Sequence, residues 1–443
     1  MKKIILPLTF LMVSVICTKA QNDVAPDMKL MSRDTPDSIL LDAVQKQTFR
    51  YFWDFADPIS GMARERSNET FGYGKEVSTI GGTGFGVMSI IVAADRKWIS
   101  RDTAAGRILK LLNFLSKADR YHGMFPHWMN GATGKTIPFG NDDDGADIVE
   151  TSYLFQGLFC ARQYFNKESY QEKEIRRQIN QLWKEAEWSW FTQGKNVLYW
   201  HWSPKHAWKM NFAIHGFNEC LITYVMAASS TFHPVSDKVY HEGWASGNNF
   251  INGKKYFGYE LPLGFDVGGP LFFSQYSFLG LDPRGLQDKY ADYWKQNTNH
   301  TLINYTYCVK NPGQYKGYAE NCWGLTAGDA WNGYNAFSPT NDDGSITPTA
   351  ALSAFPYAPE KSMAALKHFY FDMGDKLWSE YGFKDGFNET KGWYAESHLA
   401  IDQGPIIVMI ENYRSGLLWK LFMSCPEVQG GLHKLGFTYK SKP

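Results

Sequence analysis

Neither sign of charge is in excess in this chain: 45 lysines and arginines balance 45 aspartates and glutamates over 443 residues. A neutral chain has no long-range field to draw in nucleic acid or an anionic membrane surface, so neither is expected as a partner. Cysteine is scarce, six in all, and Cys17 falls in an N-terminal leader. The others, Cys160, Cys220, Cys308, Cys322 and Cys425, are odd in number and scattered, which excludes a disulfide framework. Cys308 and Cys322 could pair across a loop, whereas Cys160 and Cys220 sit in apolar helical runs. No Cys or His spacing fits a zinc site, and neither metal nor cofactor is expected. A calcium loop around Gly145 fails because Gly140 falls where Asp is required. The glycines at 81, 82, 84 and 86 follow no strand and lack dinucleotide-fingerprint spacing, so close helix packing is their expected role. Beyond the leader, no stretch holds the roughly 18 uninterrupted apolar residues of a membrane span.

What is present begins with that leader. Lys2 and Lys3 precede an apolar run from Ile4 to Ile16, and Thr18-Lys19-Ala20 offers small residues for cleavage before Gln21. Residues 1–20 thus read as an export signal to the periplasm. Ile16 occupies the place where a lipoprotein needs a small residue, which disfavours lipid anchoring through Cys17. Residues 21–36, with Pro26 and Pro36, form a flexible leader.

From Ser38 onward, apolar residues recur at helical spacing, as in Leu40, Leu41, Val44, Phe49, Phe52 and Trp53. Further helices are predicted near 101–118, 147–165, 171–190, 213–230, 272–280, 285–296, 346–355, 359–380 and 403–423. Long loops at 191–212, 241–271 and 305–345 are rich in Gly, Trp, Tyr, Asn and Pro. Strand alternation is sparse and no linker interrupts the pattern. One all-α domain over 37–443 follows, a ring of helical hairpins with inner helices parallel and loops gathered at one end.

The chemistry concentrates in NDDDGADIVETSYLFQGLF, residues 141–159, where four aspartates and a glutamate fall between Asn141 and Glu150. Carboxylates at the mouth of a buried helix are costly unless capping, paired or catalytic. Capping and dipole effects account for Asp142 and Asp144 but poorly for Glu150. Asp143, Asp147 and Glu150, four and three apart, are expected on one helix face toward a substrate. Glu219 opens a second apolar helix, and Asp402 a third, with Pro405 expected in its first turn. Nearby loops carry Trp202, Trp208, Trp323, Trp331 and Trp393, and His215 precedes the Glu219 helix. Carboxyls beside aromatic platforms suit glycosidic hydrolysis, where an acid protonates the leaving oxygen and a carboxylate activates water or attacks. A polysaccharide lyase using His215 or Tyr307, or a non-catalytic glycan binder, stays open. The sparse Lys and Arg near the acidic clusters disfavour an anionic substrate.

The segments NDDDGADIVETSYLFQGLF, KMNFAIHGFNECLITYVMAASS, AENCWGLTAGDAWNGYNAF and IDQGPIIVMIENYRSGLLWKLF together resemble the glucoamylase-like glycoside hydrolases, grouped with the β-1,2-glucanases of glycoside hydrolase family 144. The resemblance spans nearly the whole chain after the leader. It implies a single (α/α)6 barrel and inverting cleavage of β-1,2-glucan to sophorose or longer sophoro-oligosaccharides; action on another glucan remains an alternative. The family's functional acids fall on Asp143, Asp147, Glu150 and Glu219. Glu219 is the expected general acid and the cluster the source of the base, with Trp202, Trp208, Trp323, Trp331, Trp393, His215 and Asp402 around an oligo- or polysaccharide bound by a monomer.

Overall fold

The computed structural model describes residues 31–69 and 71–439. The predicted export signal and all but the last six residues of the predicted 21–36 leader lie outside the described residues. Thirteen α-helices are described: α1 (Asp37–Trp53), α2 (Ile80–Asp95), α3 (Arg101–Leu115), α4 (Ile148–Tyr164), α5 (Tyr170–Glu185), α6 (Leu221–Ser229), α7 (Tyr293–Lys310), α8 (Pro348–Leu352), α9 (Pro359–Lys367), α10 (Gly374–Leu377), α11 (Ala400–Arg414), α12 (Leu417–Met423) and α13 (Pro426–Lys434).

Their sequences sort them into two layers. Helices α2, α4, α6 and α11 are apolar nearly all round and buried along almost their whole length. A helix without a polar face has to lie inside. Helix α5 instead buries one stripe, Ile175, Ile179, Leu182 and Trp183, and α3 does the same through Ile108, Leu111, Leu112 and Leu115. The inner ring runs α2 to α4 to α6, then to 3₁₀ turns at Leu271–Ser274 and Ser277–Leu279. Gln275 links those turns to α8 by donating from Nε2 to the Ala350 carbonyl at 3.0 Å. Helix α8 packs on α11, which returns to α2 and closes the ring. Outside, α1 covers α2 and α11, α3 covers α2, α5 covers α4, the π turn Val239–Trp244 and α13 cover α6, α7 covers Leu271–Ser274, and α9 covers α8. This is the (α/α)6 toroid.

The glycines of α2 act as the sequence reading expected. A Cβ on Gly84 would fall on the Tyr153 carbonyl and the Leu154 backbone of α4, and one on Gly157 would fall on the Gly84 backbone. The two helices touch main chain to main chain. All five described cysteines are buried free thiols, so the pairing left open for Cys308 and Cys322 is not made. No described helix is long and apolar enough to cross a membrane.

Several boundaries move. The predicted 285–296 helix begins only at Tyr293, where Asp292 caps it by accepting from the Lys295 amide, and runs on to Lys310. Only Leu221–Ser229 of the predicted 213–230 stretch is helical. Gly416, at φ 68°, splits 403–423 into α11 and α12. Pro405 lies inside α11, past its first turn.

Replacing Gly84 with valine is expected to destabilise the fold by about 1–3 kcal/mol through overpacking. Urea unfolding checks this; an unchanged midpoint would mean that α2 and α4 can part without cost.

Candidate active site

The N-terminal ends of the inner segments converge on a cavity of about 440 Å³, within the range of small-ligand clefts. Thr79 ahead of α2, Glu150 on α4, Glu219 ahead of α6, Tyr276 between the 3₁₀ turns, and Leu399 and Ile401 at the start of α11 all line it. Loops add Trp128, Phe139, Trp200, Phe71, Tyr73 and Tyr334. Two short ladders position this rim. Val77–Thr79 pairs with Trp128–Asn130, and Ala146–Asp147 pairs with His201–Trp202.

Asp147 is the anchor of the first wall. It is fully buried and caps α4, its Oδ1 accepting from the Val149 and Glu150 amides, each at 2.9 Å. The Trp200 indole Nε1 donates to the same oxygen at 3.0 Å, and His127 Nδ1 lies 2.9 Å from Oδ2. Burial opposes ionisation here, but the hydrogen bond and charge of His127, with His201 nearby, hold the carboxyl below its usual range. His127 carries the complementary shift. Burial lowers it, yet Glu150, Asp147 and Asp143 outweigh that and raise it to about 9.

The other acids lack such donors. Asp143 is pushed up to about 7 by burial and by Asp147, with His201 Nε2 at 3.5 Å from its Oδ2. Glu150 is raised by burial, although the Gly81 amide donates to its Oε2 at 2.8 Å. Glu219 rises to about 7, chiefly through burial. Its main-chain carbonyl accepts from Ser277 Oγ at 2.5 Å, which fixes the turn before α6.

A second wall was not foreseen. Arg66 donates through its guanidinium to Asp329 Oδ2 and to Glu65 Oε2, each at 2.9 Å, and Tyr73 OH donates to the same Glu65 oxygen at 2.7 Å. The sequence reading saw few cations near the acids; Arg66 is one, but its charge is consumed within the wall. Behind it, burial pushes Asp402 up to about 7 and raises its neighbour Asp385 as well.

The predicted residues therefore divide. Asp143, Asp147, Glu150 and the position of Glu219 converge at one end of the ring, but α4 starts at Ile148, because Ala146–Asp147 is held extended by its ladder. The capping assignment is reversed: Asp147 caps, whereas Asp142 pairs with Lys209 and Asp144 with Lys205, each at 2.8 Å. Asp402 sits in the first turn of α11, buried behind the lining residues. His215 is exposed in the loop before α6 and does not line the cavity. None of the five predicted tryptophans lines this cavity. Trp323 is wholly buried in the core. Trp208 packs on Phe191 and Tyr199, Trp202 meets His122 edge-on, and Trp393 lies in a small hairpin with Asn388. Trp331 is exposed and donates to Asp343. Trp128 and Trp200 line the cavity instead. Both lie in short aromatic-rich stretches, YHGMFPHW and NVLYWHWSP. Among the described residues, His127, Asp143 and Asp147 offer ligand atoms within 4.8 Å of one another.

Residues 211–426 match the Glycoamylase family model. The exo β-1,2-glucooligosaccharide sophorohydrolase (non-reducing end) of Parabacteroides distasonis is 47% identical over 422 residues, covering 90% of this chain and 58% of its own length. The chain thus spans little more than half of that curated relative. A crystallised protein of Bacteroides uniformis superposes with a TM-score of 0.91 at 60% identity, over 92% of this chain and 99% of its own. The endo-β-1,2-glucanase of Chitinophaga pinensis, solved with sophorotriose and glucose, gives 0.89 at 53% identity, over 91% of this chain and 99% of its own.

Because Glu219 is raised from 4.5 to about 7, folding takes up a proton there and stability falls as pH rises across that window. Glu219→Gln is therefore expected to stabilise the protein above pH 7, by up to about 3 kcal/mol, with the gain vanishing below pH 4.5. Melting temperature against pH, compared with wild type, reads this out.

Proposed function

The chain belongs to the glucoamylase-like family that includes the β-1,2-glucanases, and on that footing we propose that it is a glycoside hydrolase cleaving β-1,2-glucan and sophoro-oligosaccharides. The observation that carries this reading is the pair Glu150 and Glu219, held toward one cavity by the starts of neighbouring inner helices. Glu219 has few donors and a raised pKa, so it holds its proton near neutrality and serves as general acid to the leaving oxygen. Glu150 is raised by burial, but the His127 charge and the Gly81 amide work in favour of its carboxylate, and it is placed to activate water. Asp147 stays ionised and orients the start of α4. Asp143, beside it, shares the cluster's proton. Attack by water from the far side of the sugar inverts the anomeric centre. Trp128, Trp200 and Phe139 offer flat faces for the apolar side of pyranose rings.

A lyase on a uronate fits less well. His215 does not line the cavity, Tyr307 lies on the outer helix α7, and the Arg66 charge is already neutralised by Glu65 and Asp329. A purely binding role leaves the displaced carboxyl pKa values without purpose. The leader at 1–20 supports export to the periplasm.

Glu219→Gln and Glu150→Gln are each expected to lower turnover of linear β-1,2-glucan by about 10²–10⁴-fold. Wild type should leave starch intact and release product of inverted anomeric configuration, seen by polarimetry. Product chain lengths distinguish disaccharide release from internal cleavage. Full activity in both variants would overturn the acid–base assignment.

A further inference from the structure

His127 has so far appeared only as a partner of Asp147, yet its position gives it more to do. The ring lies flat against Phe139, with centroids 4.0 Å apart at 27°, and meets Trp128 edge-on at 6.0 Å. Its Nδ1 is tied to Asp147 Oδ2 at 2.9 Å, and that carboxylate is itself fixed by two backbone amides and the Trp200 indole. Ring plane and ring direction are therefore both set. Nδ1 is held at the wall, His127 lines the cavity, and among the described residues its Nε2 meets no hydrogen-bond partner. A histidine oriented through one nitrogen by a buried carboxylate, with the other nitrogen free in a cleft, is the arrangement that delivers a proton or a hydrogen bond to a bound substrate.

The geometry points to His127 as a substrate-contacting catalytic residue, whose Nε2–H donates to an oxygen of the glucan seated beside Glu150 and Glu219. The inference rests on the glycosidase reading above and adds a donor to it. The titratable groups that face His127 are Asp143, Asp147 and Glu150, which favour its cation, and His201, which opposes it. Their balance raises it to about 9, so both ring nitrogens carry protons at neutral pH. A cationic donor also compensates the charge of Asp147 and of an ionised Glu150 when substrate displaces water from the cavity.

The test uses the full chain as wild type, His127→Ala and His127→Gln. The wild-type rate on β-1,2-glucan tests the parent reading; the ratio of variant to wild type, on whichever glucan the wild type cleaves, tests this one. His127→Ala is expected to lose about 10- to 100-fold in kcat/KM, the worth of a hydrogen bond to a charged group, and to regain part of it with added imidazole. Beyond the alkaline limb set by Glu219 near 7, wild-type kcat/KM should steepen again as pH rises through about 9, and that second limb should be absent in His127→Gln. A loss that imidazole does not restore, with the second limb unchanged in His127→Gln, would reduce His127 to a structural role and overturn the inference; so would full activity in His127→Ala. Should the alanine variant fail to fold, the ¹⁵N shift of the wild-type Nε2 decides. Movement on adding sophorotriose, or the sugar that the enzyme does cleave, supports the contact, and no movement overturns it.

Discussion

The carboxylate of Asp147 is the point on which this site depends. An ionised acid with no exposure to water is tolerable only when its oxygens are supplied with donors. Two backbone amides, an indole and an imidazole supply them. The donors come from three separate parts of the chain, so one charge fixes the start of α4, the Trp200 segment and the His127 loop relative to one another. Helix starts favour negative charge through their free amides and dipoles, and a ring of parallel inner segments brings several such starts to one place. Asp147, fully supplied with donors, stays ionised, whereas Glu219, without them, keeps its proton. Two carboxyls a helix apart can therefore hold opposite states near neutrality, which acid–base catalysis needs.

The opposite wall obeys the same electrostatics with a different outcome. Glu65 and Asp329 share one guanidinium, and burial raises both Asp385 and Asp402 behind them. Such a wall repels further negative charge and offers oxygens to a neutral, hydroxyl-rich ligand. Aromatic rings between the two walls complete a surface that is polar at its edges and flat between them.

The ring was legible because inner and outer helices differ in a local property: α2 and α4 are apolar on all sides, whereas α3 and α5 carry one stripe. The acids of 141–150 were legible because a buried helix start makes carboxyls conspicuous. Their division of labour was not. Whether Asp144 or Asp147 caps depends on where the chain leaves its ladder with His201–Trp202, more than fifty residues away in sequence. The second wall was hidden for the same reason, since Arg66 meets Asp329 across a separation of 263 residues. Tryptophans misled because richness in a loop says nothing of direction. Trp323 faces the core and Trp200 the cavity, and only the fold distinguishes them.

The buried, unpaired thiols have a consequence of their own. Nothing covalent ties one part of the described toroid to another, so its cohesion owes nothing to an oxidising environment. The same chain can mature in a reducing compartment or beyond it, its activity should be indifferent to dithiothreitol, and recovery from denaturant needs neither an oxidant nor an isomerase to sort sulfur pairs.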